Sequence, residues 1–130
     1  VWRAELIRCP QFPTTLPTLD ELIGTDGISE DNVAAHVLER TGAPTADGHV
    51  FTLHAELEGG RLCDVFEQLI TGWKEQGWSL GPVRDLREAV EPMALPRCET
   101  LLASIPGRTG TLFVQGDEFL GDVDEAYREL

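Results

Sequence analysis

The chain has 130 residues, 42% hydrophobic and 25% charged, the composition of one modest globular domain and not of a disordered segment. Its 10 basic against 23 acidic residues give a net charge of −13, which excludes a nucleic-acid binder, because neutralising phosphates needs a concentrated basic face. The same deficit argues against electrostatic attachment to an anionic membrane, and no apolar run reaches bilayer length.

The opening VWRAEL lacks the basic-then-apolar pattern of a leader. The single methionine is Met93, so residue 1 is not an initiator, and the sequence is expected to be a processed product or an excerpt of a longer chain. Cys9, Cys63 and Cys98 form an odd, widely spaced set without a CxxC pair. They read as reduced thiols of a cytoplasmic protein, packed as small buried hydrophobes.

Pro10, Pro13 and Pro17 keep the first 18 residues from forming a long helix or a central strand, leaving a short extended piece around Leu6 and Ile7. Thr18 then stands as an N-cap before LDELI, with Gly24 to stop the turn. A second helix is expected to open at Ser29, carry Val33, Ala34, Val37 and Leu38 inward, and close at Thr41-Gly42. Residues 42–48 form a loop bounded by Pro44 and Gly48.

Residues 49–54 read as a strand covered on both faces, as in a parallel α/β sheet, because Val50, Phe51 and Leu53 are nearly continuous. Residues 55–60 follow as a loop. The clearest helix spans 62–76, where Leu62, Val65, Phe66, Leu69, Ile70 and Trp73 make one stripe at spacings of three and four, and Gly77 ends it. Residues 78–83 form a second short strand and 84–91 a short helix ended by Pro92. This alternation has the rhythm of a parallel α/β unit. Beyond Pro96 the pattern dissolves into turns around Gly107 and Gly110, with one short apolar piece at 111–114, and GRTG at 107–110 lacks the spacing and lysine of a phosphate loop. The last 15 residues hold six acids and one arginine, which reads as a solvated tail or terminal helix.

The chemistry concentrates at HAELEGG, residues 54–60: a strand-end histidine, two carboxylates and two glycines. Functional groups of α/β proteins gather at such carboxyl ends of strands. An imidazole there holds or releases a proton near neutral pH, or simply caps the strand by hydrogen bonding. Glu56 and Glu58 share a parity on extended backbone, so they either orient His54, contact a polar substrate, or are merely solvated. His49 and His54 do not share a metal, since five residues of strand separate them by roughly 16 Å. His36 lies on the second helix as a surface or partly buried residue. No HExxH, HxxxH or cysteine pair supplies a metal site.

TLPTLDELIG at 15–24 and FTLHAELEG at 51–59 resemble the C-terminal part of the NodB-homology polysaccharide deacetylases. More narrowly, they resemble the 4-deoxy-4-formamido-L-arabinose-phosphoundecaprenol deformylases of bacterial lipid A modification. The specific parts are Pro17-Thr18 with Asp20-Glu21, and His54-Ala55-Glu56 with Glu58-Gly59; the likeness extends over residues 13–110.

The resemblance implies an α/β fold, the C-terminal portion of a distorted (β/α) barrel of the NodB-homology type, over residues 1–110, with 111–130 as an acidic extension. It implies a metal-dependent hydrolysis removing a formyl or acetyl group from an amino sugar, the undecaprenyl-phosphate-linked 4-formamido-arabinose of lipid A modification, with His54 as general acid. Glu56 and Glu58 would bind or orient substrate. The divalent metal would be held by motifs upstream of this sequence, so the 130 residues alone are expected to be inactive. The resemblance places the enzyme in the cytoplasm at the inner face of the bacterial inner membrane, in polymyxin resistance, with peripheral membrane contact and no spanning segment. The alternative is an inactive accessory or binding module derived from that fold, its partner contact made by Asp117, Glu118, Asp122 and Asp124.

Overall fold

The computed structural model describes Val1, Leu6 and residues 9–46 and 48–120. The chain divides into two compact units, Thr14–Gly81 and Val1–Pro13 with Pro82–Leu130. The expectations for Ile7 and for Asp122, Asp124 and the rest of the acidic tail lie outside the described residues.

The Thr14–Gly81 unit is helical. Its first helix, α1 (Leu19–Leu22), begins at Thr18, whose backbone N–H donates to the Glu21 carboxylate at 3.0 Å, and Gly24 follows with φ of 92°, a left-handed turn that glycine adopts without strain. The second, α2 (Val33–Arg40), starts four residues later than Ser29. Ser29 instead opens a turn whose N–H donates to the Asn32 side chain at 2.7 Å, and Asn32 takes the N-cap place.

The long helix α3 (Cys63–Glu75) lies where the stripe of apolar residues predicts it. Leu62, Val65, Leu69 and Trp73 are buried with Leu16, Leu19, Leu22, Val33, Ala34 and Val37 in one core. Helix α2 packs along α3 at Gly72, where an added Cβ would lie 2.5 Å from Leu38 Cδ1. A side chain there would force the two helices apart.

The end of α2 is tied to α3 through Thr41, itself buried. Trp73 Nε1–H donates to Thr41 Oγ1 at 3.1 Å, and the Thr41 hydroxyl reaches Gln76 Oε1 at 2.8 Å. Trp78 Nε1–H donates to the Thr41 carbonyl at 3.0 Å, and Gln76 Nε2 to the Leu38 carbonyl at 2.8 Å. Side chains from the end of α3 thus satisfy carbonyls that the end of α2 leaves without helical partners.

Three expectations need correction. Residues 49–54 are extended but belong to no sheet. Across from them stands Thr15, whose N–H donates to the Val50 carbonyl at 3.0 Å and whose hydroxyl accepts from Val50 N–H at 2.9 Å, and Leu53 is 47% exposed. A strand needs a neighbouring backbone, and one rung completed by a side chain does not supply it. Residues 78–83 likewise form no strand with any described residue, since Pro82 lacks the N–H a ladder needs and caps α4 (Val83–Ala89) instead. Residues 55–60 are not a loop: Leu57 and Glu58 N–H both donate to the His54 carbonyl, at 2.9 and 3.0 Å, and a wide turn, Leu57–Arg61, runs into α3.

The sheet that does form is an antiparallel hairpin in the other unit, β1 (Cys98–Ala103) with β2 (Leu112–Glu118), pairing Leu101 with Val114 and Leu102 with Phe113. The composition is therefore mixed α/β, as expected, but the described residues form neither a parallel sheet nor a barrel. Asp117 and Glu118 stand at the end of β2. Residues 106–107 turn as anticipated. The thiols are free, but Cys9 and Cys63 are exposed where burial was expected. None of this unit's described residues is buried, and Met93, Leu102 and Phe113 are each more than half exposed. Among the described residues no helix is long and apolar enough to cross a membrane.

Replacing Thr41 by valine leaves the Trp73 indole N–H buried without an acceptor. Urea unfolding followed by circular dichroism is expected to show a loss of about 1–3 kcal/mol.

Candidate functional site

His54 sits where the extended segment 49–54 turns into the helical run leading to α3. Phe51 stands edge-on to Trp73 with ring centroids 5.4 Å apart, which fixes the approach of the segment to the core. The His54 carbonyl is held by Leu57 and Glu58 N–H, and its own N–H donates to Glu58 Oε2 at 2.7 Å. Both polar backbone groups of the residue are thereby pinned.

Its imidazole faces α1. His54 Nδ1 lies 3.5 Å from Asp20 Oδ1, with the two side chains 26% and 43% exposed. That separation suits an ion pair when the ring is protonated. It does not meet hydrogen-bond geometry, and Nδ1 is otherwise buried without a hydrogen bond among the described residues. The arrangement sets an imidazole beside a carboxylate, with both side chains partly exposed to solvent.

The two segments that carry the sequence resemblance therefore meet in space. Asp20 and Glu21 belong to one, His54 and Glu58 to the other. Sequence reasoning singled out His54, Glu56 and Glu58 as site residues and gave Asp20 no role beyond its place in the motif that carries the resemblance. Its presence in the PTLDE motif was the one available signal.

Of the three singled-out residues, Glu56 is exposed, while Glu58 is 3% exposed and turns its carboxylate back onto the His54 backbone. His49 lies 3.3 Å through Nδ1 from Thr15 Oγ1 and edge-on to Trp78, and His36 is half-buried on α2. Among the described residues no three His, Cys, Asp or Glu side chains gather to hold a metal ion. The described residues therefore do not assemble a donor set that fits the implied metal. A groove of about 380 Å³ lies within the other unit, lined by Phe12, Pro92, Met93, Leu95 and Phe113 among others, and includes none of these side chains.

Comparison with known proteins agrees with the resemblance. Over 109 residues the chain is 38% identical to a protein of Shewanella sediminis named as a probable 4-deoxy-4-formamido-L-arabinose-phosphoundecaprenol deformylase. The match covers 83% of this chain and 34% of that protein, so the chain spans about a third of that protein's length. The two sequences are related. No family model matches the chain, and no solved structure matches it.

An ion pair this exposed adds little to folding. Asp20→Asn is expected to change unfolding free energy by less than about 1 kcal/mol in urea titrations; a larger loss would make the pair a structural tie and not a reactive one.

Proposed function

We propose that this chain carries the proton-donating side of an enzyme that hydrolyses the amide of an acylated amino sugar, removing a formyl or acetyl group, with His54 as the general acid. The observation that carries the reading is the Asp20 carboxylate 3.5 Å from His54 Nδ1, on the two segments most similar to the deformylases. Expelling an amine from a tetrahedral intermediate requires a proton on nitrogen as the C–N bond breaks. An imidazolium supplies it. A carboxylate beside Nδ1 stabilises that cation and leaves Nε2 as the ring nitrogen for the transfer.

The relationship to the Shewanella protein favours 4-formamido-arabinose carried on phosphoundecaprenol as the substrate, hence a role in lipid A modification, with polymyxin resistance as its consequence. Such a substrate places the enzyme at the cytoplasmic face of the inner membrane, in peripheral contact with it. In this reading the complete catalytic domain is a distorted (β/α) barrel of the NodB-homology type. A divalent metal that activates the attacking water would be held by residues outside this sequence.

The test uses the protein with its complete catalytic domain. His54→Ala is expected to lower turnover of a formamido sugar by about 10²–10⁴-fold with bound metal unchanged, and Asp20→Asn by at least about tenfold. Unchanged turnover in His54→Ala would sink the assignment. A complete protein that hydrolyses no acylated amino sugar would instead favour the accessory module.

A further inference from the structure

We infer that Glu21 and Glu58 are positioning residues for the Asp20–His54 pair, each burying its carboxylate to clasp a backbone amide in the turn that carries one member of the pair. This rests on the acid–base reading of that pair and adds the residues that hold it.

Glu21 and Glu58, 9% and 3% exposed, are the two buried charged side chains among the described residues. Both stand beside the pair. Glu21 accepts the Thr18 N–H at 3.0 Å across the start of α1, and Asp20 lies within the loop so closed. Glu58 accepts the His54 N–H itself at 2.7 Å. The two sites use one device, a carboxylate three or four residues along the chain turning back on an amide.

Withdrawing a carboxylate from water is costly, and an exposed serine or aspartate would cap either turn without that cost. What burial adds is stiffness. A clasp shielded from water does not exchange for a solvent hydrogen bond, so the backbone beneath each reactive side chain stays fixed to the tolerance that proton transfer demands. With the His54 N–H and carbonyl both bonded, the ring keeps only its side-chain torsions. Glu58 Oε1 is buried without a hydrogen bond among the described residues, so the carboxylate's polar contact there is the His54 N–H.

The test pairs amide exchange of this chain with turnover of the complete enzyme. Glu58→Ala is expected to speed exchange of the His54 amide at least about tenfold while leaving that of Thr18, and Glu21→Ala to do the reverse. In the complete enzyme, Glu58→Ala should lower kcat about ten- to a hundredfold with KM and bound metal held. Glu58→Gln, which keeps an acceptor for the amide, should restore most of both. If Glu58→Ala fails to fold, Glu58→Asp, one methylene short, replaces it with the same expectation. Normal kcat in a variant whose His54 amide exchanges freely, while His54→Ala abolishes turnover, overturns the positioning role. Unaltered turnover in His54→Ala overturns the acid–base reading itself, and the positioning role with it.

Discussion

Leu62, Val65, Leu69 and Trp73 stand on one side of α3, and the buried side chains of α1 and α2 close over them into a single core. Their removal from water is the dominant favourable term available to a unit with so few sheet hydrogen bonds. Its consequences reach beyond burial. Gly72 lets Leu38 sit against the α3 backbone, and Thr41 then accepts hydrogen bonds from Trp73 and Trp78 and donates one to Gln76 Oε1. Packing brings the helices together, and polar bonds fix their register.

The position of His54 is inherited from that core. Upstream, Phe51 leans on Trp73; downstream, the wide turn Leu57–Arg61 delivers the chain into α3 through buried Leu62. Asp20 is delivered from the opposite side by α1, whose Leu19 and Leu22 are buried in the same cluster. A carboxylate and an imidazole from separate segments are thus brought to 3.5 Å by apolar neighbours, not by their own attraction. This division suits a reactive pair, because partly exposed charges contribute little to stability while remaining open to a substrate.

Helix periodicity was readable where one face is buried, so α3 and the buried face of α2 fall where spacing places them, while α1 was marked by its cap at Thr18 and its stop at Gly24. Extended segments were less readable. The run VFTL at 50–53 is apolar enough for a covered strand, but whether a neighbour exists is a property of the fold and not of the run. The hairpin stayed hidden because its apolar residues run consecutively, Leu101-Leu102 and Leu112-Phe113-Val114, so the sequence lacks a period of two although burial alternates along the strands. Glycines 59 and 60 disguised the helical run at 55–61 as a loop. Of the site, His54 and Glu58 were legible as residue types in a telling motif. Asp20 was not, because nothing local distinguishes a first-turn acid that favours a helix from one that faces an imidazole.

Two of the chain's three tryptophans, Trp73 and Trp78, donate to one threonine at the junction of α2 and α3. Indole emission shifts to the red as water reaches the ring. The chain therefore carries an intrinsic optical reporter at the seam that supports the extended segment leading to His54. Loosening of that seam by heat, denaturant or a remote substitution is visible in fluorescence without a substrate or a label.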